Sequence, residues 1–362
     1  MRKNFYLFSV LLLAIGLTTA ILSCSKDDDD NSGTVTNTLS DFITPDGAVF
    51  HSGDLPTGSA ALLSGAVRHN ASAVAGGMNP ITVTSTQEFS KFFVGVKGRA
   101  GYMEYPATLA SSQTRLDGDA QDVTFVYNVP VQYSINLSES FTLQISAVNA
   151  AGEVTAAYEM QISLVQSQTG ALKVTLTFDT PKDVDLHLFT PSGGHIYYGN
   201  RGVYTEYGER EMVDGETVTP IQYGLDVDSN PGCTIDNINN ENIFIPQELM
   251  ENGVYEVKVD LYENCDVTIA TAWTVVAYYK GRVIRNEFEG KGNPVSGVYP
   301  KDAIRGDMTT IMKFTISDAP NTPNAQTRAE GGSVWNNKKY VPIPLTQSAK
   351  DKLELLQWEK GY

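Results

Sequence analysis

The chain has 362 residues, of which 41% are apolar and 19% charged, enough for two or three domains with cores of their own and too apolar for a disordered chain. Its 42 acidic residues against 26 basic ones leave a formal charge of −16, and with no Lys/Arg cluster to interrupt that field, nucleic acid is excluded as a partner. Three cysteines, none paired as C-x-x-C, exclude a scaffold built on disulfides.

At the N-terminus, Arg2 and Lys3 precede a mainly apolar run from Leu7 to Leu22. Its 16 residues fall short of the ~20 that a spanning helix needs. The run ends in Ile21-Leu22-Ser23-Cys24, which resembles the lipobox of bacterial lipoproteins. That resemblance implies a signal peptide over 1–23 and lipidation of Cys24, whose acyl chains would each gain ~0.8 kcal/mol per buried CH₂. Ser25, Lys26, Asp27, Asp28, Asp29 and Asp30 follow. Four adjacent like charges predict a solvated tether, placed with the lipidated Cys at 24–45. The acidic run is also similar to the export signal of Bacteroidetes surface lipoproteins, which implies an outer-membrane, lipid-anchored protein facing outward. A periplasm-facing lipoprotein with a polar linker is the alternative.

From 46 to 168 the pattern predicts strands, with candidates at Ile81 to Gly98 and Val123 to Leu137. Phe141, Leu143, Ile145 and Ala147 alternate with polar residues, Asn149 to Gly152 turn the chain, and alternation resumes from Val154 to Leu164. This is a hairpin with one buried face. It resembles the last two strands of immunoglobulin-like modules, so an Ig-like β-sandwich acting as a spacer is expected here.

A second block, 171–318, opens with Val174, Leu176 and Phe178 and continues through Tyr255 to Leu261, Trp273 to Tyr279 and Ile311 to Ile316. Trp273 reads as core, and the one helical candidate is Pro246 to Glu251. The fold expected is all-β: two tandem β-sandwich domains after a signal peptide and acidic tether. Residues 319–362 read as a Pro-rich tail with a candidate short helix at Gln347 to Trp358.

The chemistry gathers in the second block, where residues 201 to 241 hold nine acidic residues against two basic ones. In Asp183-Val184-Asp185-Leu186-His187-Leu188, strand alternation puts Asp183, Asp185 and His187 on one face. Leu225-Asp226-Val227-Asp228-Ser229-Asn230 repeats the pattern for Asp226 and Asp228, and Asp236 to Asn242 follows. Carboxylates converging this densely disfavour their own ionisation unless a cation sits among them. A hard ion taking six to eight oxygens answers that need, so calcium is expected at Asp183, Asp185, Asp226, Asp228, Asn230 and Asp236. His187 on its own reads as an ordinary histidine, and solvated acidic turns are the bland alternative.

The run Asp183 to His187, with Leu176-Thr177-Phe178-Asp179 before it and Thr190-Pro191-Ser192-Gly193, Ile196 to Asn200, Leu225 to Asp228 and Asn252-Gly253-Val254-Tyr255 after it, resembles the YfaP-like domain of bacterial envelope proteins. The likeness spans 171–318. It departs where Asp236 to Asn242 replaces a Gly-Pro-Glu stretch and where Arg201 to Gly224 reads as an insertion. It implies a β-sandwich and no established catalysis.

Ser192 with His195 nearby lacks the G-x-S-x-G elbow and a following helix, so a tight turn accounts for it. Tyr204, Tyr207 and Tyr223 are candidate ligand-binding aromatics in an acidic surface segment. Cys233 and Cys265 remain once Cys24 is lipidated; outside the cytoplasm they form a candidate disulfide, with two free thiols as the alternative. The expected function is a non-catalytic cell-surface binding protein for glycan or protein ligands, stabilised by calcium. The alternatives are a metal-dependent hydrolase using Asp183, Asp185, His187, Asp226 and Asp228, and a structural subunit of a surface fibre.

Overall fold

The computed structural model describes residues 38–60, 67–117, 120–203, 211–213, 216–218 and 222–322. The chain divides into two units, Met1–Thr36 and Asn37–Tyr362, and every described residue belongs to the second. Cys24, the acidic tether from Ser25 to Asp30, Tyr204, Tyr207 and all but the first four residues of the tail lie outside the described residues.

The fold is all-β, as alternation predicts. In the first half, one sheet runs in the order Val49–His51, Tyr102–Pro106, Phe89–Val96, Phe141–Asn149, Tyr158–Leu164 and Ser72–Ala73. The other runs Val67–Arg68, Met78–Ser85, Ala120–Gln132 and Leu109–Asp117. Between them pack Ile81, Phe92, Val94, Val129, Leu143 and Ile145, all fully buried. The single strand candidate from Ile81 to Gly98 is therefore two strands, because Gln87 and its neighbours turn the chain. The hairpin is present with Leu143 opposite Met160 and Phe141 opposite Ile162, so its inward residues meet on one face.

The second half repeats the plan. Its larger sheet runs Gly202–Val203, Tyr223–Val227, Asn240–Ile245, Leu172–Phe178, Thr271–Tyr279 and Arg282–Val283, with Val295–Tyr299 also paired to Thr271–Tyr279. The smaller runs His195–Ile196, Asp183–Phe189, Gly253–Glu263 and Thr309–Ile316. Val184, Leu186 and Leu188 face the shared core with Val257, Val259 and Leu261, and Trp273 joins them. The helical candidate at Pro246 to Glu251 is one 3₁₀ turn, Gln247–Leu249, too short to present a helical face.

Leu172–Phe178 is buried along its whole length. Leu172, Val174, Leu176 and Phe178 fill the core, while Lys173, Thr175 and Thr177 point the other way, toward the first half. The two halves meet along a polar seam. Arg68 Nε donates to Asp179 at 2.6 Å, and the Asp179 carboxylate also accepts from Thr82 Oγ1 and the Ala272 N–H. Gln132 donates to the Tyr278 hydroxyl, which donates to the Gly76 carbonyl, and Thr274 Oγ1 donates to the Met78 carbonyl.

Candidate functional site

The strand Asp183–Phe189 sets the site, because its apolar residues are fixed in the core and its polar residues must therefore share the opposite face. Asp183, Asp185 and His187 all lie there, and all three are buried. Across the ladder, Asp185 is directly opposite Asp260 and His187 is opposite Lys258. From the larger sheet, Glu241 reaches over and accepts the Leu186 N–H through Oε2 at 2.7 Å. Two groups of ligand atoms result, each within 4.8 Å of one another: Asp185 with His187 and Asp260, and Asp185 with Asp228 and Glu241.

Asp228 is brought in as expected, and Arg201 Nη1 lies 3.8 Å from its carboxylate. Asp226 is not. A bulge between Leu225 and Val227 breaks the alternation that would have put it beside Asp228. Asp226 instead accepts the Gln168 N–H and an Asn242 Nδ2 hydrogen at 2.6 Å, on the Lys173 side of the sheet. Burial raises its pKa, and these bonds oppose the rise. The hydrolase constellation that counted on Asp226 is therefore not assembled.

Asp183, Asn230 and Asp236 build the loop that frames the group. Asp183 Oδ2 accepts the Gly232 N–H at 2.7 Å. Asn230 Nδ2 donates to the Lys182 carbonyl and to Asn239 Oδ1. The Asn230 and Asp236 side chains accept each other's backbone N–H, and Asp236 also accepts from Ile238. The asparagines have a reason to be here: Asn230, Asn237 and Asn239 have φ of 54°, 60° and 50°, the left-handed region that Asn tolerates best after Gly. These hydrogen bonds take Asn230 and Asp236 into the loop's own scaffolding, so the six expected calcium ligands reduce to Asp185 and Asp228 in the ligand groups, with Asp183 beside them.

A disulfide joins Cys233 to Cys265 and ties this loop to the turn after Gly253–Glu263. The first half holds it from the other side: Asn70 Nδ2 donates to the carbonyls of Ile238 and Asn239, and Ser72 Oγ donates to that of Asn237. The half expected to be a spacer thus helps to shape the acidic loop.

Beside the acidic group lies a run of aromatic rings. Phe189 and His195 stack at 4.1 Å, His195 and Tyr197 at 4.0 Å, and Tyr198 meets Tyr197 and Tyr262 edge-on. His187 Nδ1 is 2.9 Å from His195 Nε2. Burial, with Lys258 nearby, pushes the His195 pKa down to about 4, so that ring is neutral at ordinary pH. Asp260 is raised by burial and by Asp307, against a smaller opposing effect of Arg305. Of the tyrosines expected to bind ligand, Tyr223 is half-buried against the core of the second half.

Sequence reasoning missed Asp260, took Glu241 only as part of the acidic stretch Asp236 to Asn242, and gave His195 and Tyr197 no role in the site. Asp260 had a visible signal, since Glu256, Lys258 and Asp260 alternate with Val257, Val259 and Leu261, but register was needed to place it opposite Asp185. Ser192 lies in the expected turn, where it is buried and its Oγ and N–H both donate to Glu251. No protein-family model matches the chain, and no curated protein matches it in sequence.

Proposed function

We propose that the chain is a non-catalytic lipoprotein, anchored in the outer membrane through Cys24, carried outward by the acidic tether, and binding a glycan or protein ligand with its second half. Calcium at the oxygen-only group Asp185, Asp228 and Glu241 stabilises the binding end. One observation carries this reading: three carboxylates, two from strands of different sheets and one from the loop just after Tyr223–Val227, converge on one place, which a folded chain does at a cost unless a cation compensates it. Carboxylate oxygens alone make a donor set suited to a hard ion, and backbone carbonyls and water complete such a shell. The half-buried rings of Phe189, His195, Tyr197 and Tyr198 lie alongside and give a ligand an amphipathic surface to rest on. The likeness of Asp183 to His187 to the YfaP-like motif agrees with an envelope location.

The test is thermal unfolding of the mature chain with calcium and with chelator, followed by a glycan array in both conditions. Calcium is expected to raise the melting temperature and to be required for retention of a ligand. An unchanged melting temperature removes the calcium site, and a glycan array blank in both conditions redirects the search to protein ligands.

A further inference from the structure

The group that includes His187 differs in chemistry from the oxygen-only group beside it. We propose that Asp185, His187 and Asp260 form a second, mixed nitrogen–oxygen site that takes a borderline divalent cation of the zinc class. The inference rests on the reading above that this end of the molecule binds cations, and it goes further by naming a different ion and a different donor set.

Register makes the case first. Asp185 and Asp260 face each other directly across an antiparallel pair, and His187 is two residues along on the same face. Like charges directly opposite on neighbouring strands are destabilising, and more so away from water. The ligand atoms of the three side chains already lie within 4.8 Å of one another, so a single ion could contact all three with small side-chain adjustments.

A second observation is independent of the clustering. Asp260 is only 6% exposed, and its Oδ1 is buried without a hydrogen-bond partner. A buried carboxylate oxygen without a donor costs free energy, and a bound cation is one way to recover it.

The third observation concerns the imidazole. His187 Nδ1 is engaged with His195 Nε2 at 2.9 Å, so Nε2 is the nitrogen that the ring would offer to an ion. Ligating histidines are commonly oriented by a partner on the other ring nitrogen, which fixes both tautomer and ring plane. The stack of His195 between Phe189 and Tyr197 holds that partner in place. One imidazole and two carboxylates suit zinc better than calcium, and three protein ligands leave a fourth position for a water or a ligand oxygen. His195 would act as a positioning residue, and His187 as the selecting ligand.

The experiment is isothermal titration of the chelator-stripped mature chain with zinc and, separately, with calcium, with cobalt(II) absorption as a spectroscopic readout. The parent is expected to bind zinc, and to give cobalt bands of an imidazole-ligated ion. His187→Ala and Asp260→Asn should abolish both signals, and His195→Ala should weaken zinc by roughly tenfold or more. The calcium response should survive His187→Ala. Each variant is checked for a retained cooperative unfolding transition in chelator, and Asp226→Asn serves as the control that leaves zinc affinity intact. Zinc binding unaffected by His187→Ala and Asp260→Asn overturns the mixed site. Absent zinc binding with a retained calcium response overturns it too and leaves the calcium reading standing, whereas loss of both responses in the parent overturns both.

Discussion

Two buried polar regions lie within the same compact unit, and they solve the problem of burial differently. At the seam, the Asp179 carboxylate accepts three donors, and Asn70 and Asn79 bond each other and their surroundings. At the site, Asp185 is set opposite Asp260 and gathered with Asp228 and Glu241, and an Asp260 oxygen stays buried without a donor. A seam whose polar groups answer one another is complete as it stands. A cluster of like charges carries a cost that a cation, or a shared proton, relieves. The contrast separates polar residues that hold the fold from those on which the proposed cation sites rest.

The disulfide tests how far the site's frame depends on covalent support. Replacing Cys233 and Cys265 with serine should lower stability by roughly 3–4 kcal/mol in urea unfolding, from loop-closure entropy. A loss below about 1 kcal/mol, the worth of a single hydrogen bond, would mean that the seam's bonds to Asn237, Ile238 and Asn239 hold the loop unaided. Asn70→Ala attacks the same loop from the seam. It strips buried partners from the Ser72 N–H and from the Ile238 and Asn239 carbonyls, at a cost of about 2–3 kcal/mol. Calcium affinity should fall with it. Stability lost with calcium affinity intact would separate the two regions.

The seam and the site were legible in the sequence to different degrees. Strands, both sandwich cores and the face shared by Asp183, Asp185 and His187 follow from alternation, since the buried residues Val184, Leu186 and Leu188 leave no other choice. Asp226 was misplaced because a bulge adds one residue to a strand without changing its composition. Asp260 was missed because its importance comes from register across strands distant in sequence, and Glu241 was not singled out from its acidic stretch because its reach to the Leu186 N–H depends on how the two sheets pack. The seam was invisible: nothing near Asn70 or Arg68 announces partners more than a hundred residues away.

Smaller effects sharpen the contrast. Asp260→Asn removes one of the two facing carboxylates, so in chelator the variant should be more stable than the parent by about 0.5–1 kcal/mol. A loss of stability would mean that the charge is already compensated within the folded chain. The smallest effect concerns pH. Burial raises Asp179 above its usual 3.8, outweighing the nearby Arg68 and the hydrogen bonds that lower it. A carboxyl with a higher pKa folded than unfolded holds its proton more tightly in the native state. Its contribution is therefore most favourable below 3.8 and declines as pH rises through the folded value. Asp179→Asn should remove that decline. Asp46, Asp226 and Asp260 are raised as well, so the quantity to measure is the difference in urea midpoint between parent and variant across a pH series. Parallel curves would show that Arg68 compensates Asp179 fully. A gap that widens with pH would show that even the better-satisfied of the two regions keeps a residual cost of buried charge.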